Sequence, residues 1–171
     1  MSTLSMSNAV SALPRQLDNL AHLLRKAETN AEERGIDAEV FLNARLAPDM
    51  WPLAKQVQVC AELAKNAPYR ISGLDAPSYD GHPTSFAECY AVLDKAKADI
   101  AKVSAADLDG NEAREFSVKM GPRGDVDFTG ISYLSGFTIP NVYFHATTVY
   151  NILRHNGVPL GKMDFFGGPK A

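Results

Sequence analysis

The sequence predicts an all-α protein: an antiparallel four-helix bundle with a small β-hairpin between its third and fourth helices. Three observations carry that expectation. Long stretches repeat apolar residues at spacings of three and four, as one buried helix face requires. One short stretch repeats them at two, as a strand does. The chain has 171 residues, of which 46% are hydrophobic and 22% charged, enough to bury one core without disulfides, so residues 1–171 are taken as a single domain.

The first helix is predicted from about Asn8 to Glu33, on the stripe Val10, Leu13, Leu17, Leu20, Leu24, Ala27 and Ala31. Gly35 supplies its stop, and Asp37 caps a short turn through Phe41 and Leu42. A second helix follows Pro48, with Met50, Leu53, Val57, Cys60, Ala64, Ala67 and Ile71 as its stripe. Asp49 is its expected N-cap, Pro52 fits the first turn, and Pro68 is expected to kink or end it. Ser72 to Pro83 is a connection. Ser85 and Glu88 then form a capping box for the third helix, whose stripe is Phe86, Tyr90, Leu93, Ala96, Ile100 and Val103. The period changes to two at Phe116, Val118 and Met120, and again at Val126 and Phe128 after Gly121-Pro122-Arg123-Gly124, which reads as the hairpin.

From Phe128 to Leu153 there are 26 residues without Asp, Glu, Lys or Arg. Such a length raises the question of a membrane span. Its Ser, Thr, Asn and His residues and Pro140 argue against one. The uncharged segment instead reads as a fourth helix enclosed by protein on several sides, either within the bundle or against a second copy. Arg154, His155, Asn156 and Gly157 close it. Because helices one and three show water a charged face and helix four shows none, a homodimer is predicted through this helix and its aromatic residues.

The formal charge of −3 and pI near 5.8 give no footprint for nucleic acid or an anionic membrane, so neither is predicted as a partner. Cys60 and Cys89 fall in helical apolar patterns and read as small buried hydrophobes. With no basic region followed by an apolar block at the start, a reducing cytoplasm is the predicted location. The chain lacks His-Glu-x-x-His, Cys-x-x-Cys, a phosphate-binding glycine loop and Gly-x-Ser-x-Gly.

The chemistry that remains is positional. At about 100° per residue, His145 lies about 60° from Val142 and about 40° from Val149, so it flanks the core stripe and can look inward. Asn141 and Thr148 share its face at i−4 and i+3. On the second helix Asp49 and Gln56, seven apart, each lie about 40° from a stripe residue. If the two helices are neighbours, Asp49, Gln56, Asn141 and His145 converge on a polar pocket with His145 at its wall. A carboxylate and an imidazole there can bind a divalent ion or act as a base and its orienting partner. Equally, Asp49 can be only a cap, Gln56 a solvated flank and His145 a satisfied buried histidine. His155 reads as a partner of the helix dipole, His22 as solvent-facing and His82 as loop. Trp51, Phe137, Tyr143, Phe144 and Tyr150 read as packing or interface anchors.

Three stretches resemble an uncharacterised family of bacterial proteins. They are Asn43-Ala44-Arg45-Leu46-Ala47-Pro48-Asp49-Met50-Trp51-Pro52-Leu53 with Gln56-Val57-Gln58, Pro140-Asn141-Val142-Tyr143-Phe144-His145-Ala146-Thr147-Thr148, and Leu153-Arg154-His155-Asn156-Gly157-Val158-Pro159-Leu160-Gly161-Lys162. That family is similar to the DinB-like four-helix bundles, many of them metal-binding or thiol-dependent enzymes. The resemblance implies a metal-ligand histidine on helix two and a His-x-x-x-His pair on helix four. Here the pair is Asn141 and His145, and helix two has no histidine, so no tightly held zinc or other cofactor is predicted. Two functions are carried forward. One is a small-molecule-binding enzyme using His145 and Asp49, with Gln56, Asn141 and Thr148 holding the ligand. The other is a non-enzymatic dimeric binding or structural protein in which these groups form a satisfied polar network.

Overall fold

The computed structural model describes residues 5–168. The predicted first helix is two: α1 (Met6–Val10) and α2 (Ala12–Arg34), separated at Ser11. Pro14 explains the break, since it has no N–H to return to the carbonyl of Val10. α2 ends at Gly35, whose φ of 61° is the left-handed turn that glycine accommodates. α3 (Ala38–Leu42) is capped by Asp37, whose carboxylate accepts from the Glu39 N–H at 3.0 Å.

α4 runs Leu53–Ser72, which corrects the expected cap and one of the two outcomes expected at Pro68. Its N-cap is Pro52, not Asp49. A cap at Asp49 could use the N–H two or three positions on, and Pro52 removes the second of these. Nor does Pro68 end the helix. It lies near the C-terminus, where one missing bond costs little beside the burial of Tyr69 and Ile71. The Tyr69 hydroxyl donates to Asp99 O at 3.0 Å, and the Ser72 hydroxyl donates to Pro68 O at 2.8 Å.

α5 (Phe86–Ile100) begins with half the predicted capping box. Ser85 Oγ accepts from the Glu88 N–H, but the Glu88 carboxylate takes the N–H and hydroxyl of Thr84 instead. A short α6 (Ala105–Leu108) follows, with Ser104 and Asp107 forming a complete box. The hairpin is present as β1 (Glu115–Lys119) and β2 (Asp125–Thr129), antiparallel, with Phe116 opposite Phe128 and Val118 opposite Val126.

The uncharged segment is not one helix. After β2 come α7 (Gly130–Ser132), a π-helical stretch Tyr133–Thr138, and α8 (Ile139–His155). Pro140 therefore falls in the first turn of α8, where its missing donor matters least. Gly130 is required by close approach, because a Cβ there would lie 2.2 Å from the carbonyl oxygen of Asn111. α8 ends at His155, with Gly157 at φ 86° beyond it.

The long helices α2, α4, α5 and α8 surround the core, α2 and α4 each packing against both α5 and α8. Leu17, Leu20, Leu24, Leu53, Leu93, Ile152 and Leu153 are fully buried between them. Among the described residues, no helix is long and apolar enough to cross a membrane. The terminal α9 (Lys162–Phe165) packs on α2. It brings Asp164 to His22, so His22 is half-buried rather than solvent-facing. The last part of the terminal segment, 169–171, lies outside the described residues.

Candidate functional site

α4 and α8 are packed neighbours, and their contact brings His145 and Gln56 together. His145 is 7% exposed, and its Nδ1 lies 2.6 Å from Gln56 Oε1. The proton on this bond follows from Gln56. Its Nε2 donates to the carbonyl of Trp51 at 3.1 Å, which leaves the acceptor oxygen facing the ring. His145 must therefore donate from Nδ1, and in the neutral imidazole Nε2 carries the lone pair. Burial pushes the His145 pKa below the ordinary histidine value, which favours that neutral form.

No hydrogen bond among the described residues engages Nε2 of His145. Among the described residues, the fully enclosed, unpaired side-chain atoms are Gln16 Nε2 and Thr138 Oγ1; Nε2 of His145 is not one of them, so it is not fully enclosed. Trp51 stacks on the His145 ring at 5.9 Å between centroids and 19° between planes, and Phe144 meets it edge-on at 5.3 Å. Both rings reach water, Trp51 at 51% exposure and Phe144 at 60%. The result is an imidazole flanked by two exposed aromatic groups and held by a three-residue chain that starts at a backbone carbonyl.

The other predicted site residues are placed differently. Asn141 turns back along its own helix and donates to Phe137 O at 2.6 Å, while the Thr148 hydroxyl donates to Phe144 O at 2.8 Å. Both share the face of His145 without bonding to it. Asp49 is exposed in the turn before Trp51 and makes no hydrogen bond to either His145 or Gln56. Beneath the pair, the Cys60 thiol donates to Val142 O at 3.6 Å. Burial pushes its pKa up to about 12, so it stays a thiol. Trp51 and Phe144, read from the sequence as packing or interface anchors, both contact the His145 ring. The five-residue reach from Trp51 O to Gln56 is the signal that could have found the first.

The donors around His145 do not fit the metal centre that the family resemblance implies. Gln56 Oε1 is already taken by Nδ1–H, and Asn141 faces away. Among the described residues no group of three or more His, Cys, Asp or Glu side chains is placed to hold an ion. Three cavities of about 360, 390 and 370 Å³ lie elsewhere. They sit beside the 79–83 loop, on α2, and where α3 meets the start of α4, and none is lined by His145 or Gln56.

A second polar cluster has no counterpart among the expectations from periodicity. Asp99, buried on α5, accepts from Tyr79 Oη at 2.8 Å and Lys102 Nζ at 2.6 Å. Burial pushes its pKa up, but these donors outweigh it and hold the pKa below the usual value. Buried Lys65 donates to Pro77 O, and its ammonium lies 4.3 Å from the Tyr79 ring centre, with that of Lys95 at 4.4 Å. These contacts bind the 74–84 connection onto α4 and α5.

The chain, mostly helical with one two-stranded sheet, is similar to the DinB-like class of proteins. The crystal structure of a DinB family member protein from Shewanella denitrificans matches it with a TM-score of 0.85 and 36% identity. The match covers 95% of this chain and 91% of that one. The family model of a domain of unknown function, DUF1993, matches residues 6–166, and the chain belongs to that family. No curated protein matches the chain.

Proposed function

We propose that the protein is a four-helix bundle, built by α2, α4, α5 and α8, that binds a small molecule at His145. The single observation that carries this reading is the 2.6 Å bond from His145 to Gln56. A buried histidine needs a partner in either case; what supports a binding role is that this bond engages Nδ1 alone. Here Gln56 fixes Nδ1 as the donor and presents Nε2 as a neutral acceptor between Trp51 and Phe144. A ligand with an N–H or O–H group and a flat apolar body suits it, the donor on Nε2 and the body on the rings. Should a proton transfer follow, Nε2 takes it while Nδ1–H stays bonded to Gln56, whose amide oxygen stabilises the imidazolium. Asp49, predicted as a partner in catalysis, has no part in this arrangement.

Trp51 is the chain's single tryptophan, so its fluorescence reports the site directly. Phenol, which has a donor, is expected to change that emission saturably, and anisole, which lacks one, to bind about tenfold more weakly, the worth of one hydrogen bond. Replacing His145 with Ala should abolish the difference. Equal binding of the two probes to the wild type would overturn the reading.

One observation favours the dimeric alternative. Tyr143 is 43% exposed beside Phe144 on the part of α8 that precedes Arg154 and carries no Asp, Glu, Lys or Arg, and a second copy laid on this part would meet no like charges. Light scattering decides it. A mass that stays near 18.5 kDa as concentration rises removes the dimer and leaves the small-molecule reading intact.

A further inference from the structure

The cavity of about 390 Å³ on α2 is lined by His22, Arg25, Lys26, Thr29, Asn30 and Glu33, together with Pro159 of the α8–α9 connection. The helical residues recur at spacings of three and one, so they share one face over three turns. All except Glu33 offer an N–H or O–H donor. Arg25 is exposed and, among the described residues, has no carboxylate within ion-pair distance. The nearby Glu28 is engaged by the Tyr90 hydroxyl at 2.7 Å.

One end of this face already holds an oxyanion. Asp164 Oδ1 lies 2.8 Å from Lys26 Nζ and 3.2 Å from His22 Nε2, and Oδ2 accepts from the Gly161 N–H at 2.7 Å. Close backbone packing seats the terminal segment there as well. A Cβ on Gly167 would come 2.6 Å from Asn19 Oδ1, and one on Gly168 would come 2.9 Å from His22 Nε2. The chain's own carboxylate thus fills the half of the donor row under α9 and leaves Arg25, Thr29 and Asn30 facing the open cavity.

We propose that this cavity binds a small oxyanion, a phosphate or a carboxylate, on Arg25, Lys26, Thr29 and Asn30, with Asp164 as a built-in competitor for Lys26. The site is separate from His145 and stands whether or not a ligand binds there. Arg25 supplies the paired donors that match an oxyanion's geometry, and Lys26 supplies a point charge that the ligand and Asp164 share.

The test titrates the full chain with inorganic phosphate and, separately, with acetate, at ionic strength held constant with sodium chloride. The backbone amide resonances of Thr29 and Asn30 are followed by NMR. Saturable shifts are expected with at least one anion, and the arm that saturates identifies phosphate or carboxylate as the preferred group. Arg25→Ala, a change at an exposed position, should weaken binding about tenfold, and Asp164→Asn should strengthen it by a similar factor, since one charge-assisted hydrogen bond is worth about that much. Shifts that rise linearly, or binding unchanged in Arg25→Ala, would overturn the site. Unchanged affinity in Asp164→Asn would overturn the competition.

Discussion

Replacing Gln56 with Glu reverses the electrostatics of His145 while nearly preserving shape. In the wild type a neutral amide oxygen accepts from Nδ1 at 2.6 Å, and burial lowers the imidazole pKa. A carboxylate at that distance favours the charged ring, and an opposite charge this close raises a pKa by about 1–3 units, or about 1.4–4 kcal/mol between the two protonation states. The substitution also removes the donor to Trp51 O and leaves that carbonyl facing a carboxylate, at a cost of about 1–3 kcal/mol. The stability profiles should then slope oppositely. In the wild type the folded pKa lies below the unfolded value of about 6.5, so the unfolded chain takes the proton first. Stability is complete above that value and falls as pH drops through it. In the variant the folded pKa is raised, so the extra stability is present below about 6.5 and is lost as pH rises through the new value. Urea unfolding from pH 5 to 8, with Trp51 emission as probe, reads both slopes, and nitrogen-15 histidine spectra read both pKa values. Profiles that slope the same way would refute the placement of residue 56 against the His145 ring.

Three further outcomes are expected. Asp164→Ala should cost roughly 1–2 kcal/mol near neutrality, a loss that disappears below about pH 2; burial pushes this carboxyl up, but Lys26, the Gly161 N–H and His22 outweigh it and hold it at about 2. Urea unfolding at pH 2 and 7 measures the change, and trypsin should cut faster after Lys162 in the variant. Gly130→Ala should lower stability by roughly 1–3 kcal/mol, because the new Cβ meets the backbone of Asn111 rather than a yielding side chain; thermal unfolding checks it. Burial pushes the Cys60 and Cys89 thiols up to about 12 each, so iodoacetamide at pH 8 should label neither in the folded protein and both in urea.

The helical framework was legible because its signals are local. Apolar spacing located α2, α4, α5 and α8, and Gly35 and Asp37 act as the predicted stop and cap. The errors occur where a second local rule or a distant contact intervenes. Asp49 has a cap residue's chemistry, but Pro52 removes one of the two N–H groups it could have bonded. Pro68 breaks helices on average, yet the burial around it holds one together. His145 and Gln56 were found because both flank a stripe on helices that pack. Asp99 also sits at stripe spacing, between Ala96 and Val103, and a charged residue there signals a buried ion. Its partners Tyr79 and Lys102 come from a loop and a helix end, which periodicity does not place.

Asn141 stands where the family resemblance implies a histidine, Gln56 is the inward polar residue of a helix that has none, and these two amides set what the α4–α8 contact can do. An imidazole in either position would add a nitrogen lone pair, and two or three such lone pairs make a metal site. A carboxamide offers a weaker oxygen and, beside it, an N–H₂ that must itself be satisfied. Each amide here spends that group on a backbone carbonyl, Gln56 on Trp51 and Asn141 on Phe137. For Gln56 the consequence is directional: its oxygen can only accept from Nδ1, which leaves Nε2 of His145 as the basic nitrogen. A single neutral acceptor is a poor anchor for a cation that needs three or four ligands, and a good one for a single N–H or O–H. On the proposed reading, the amides narrow the site from holding a metal to receiving a proton donor.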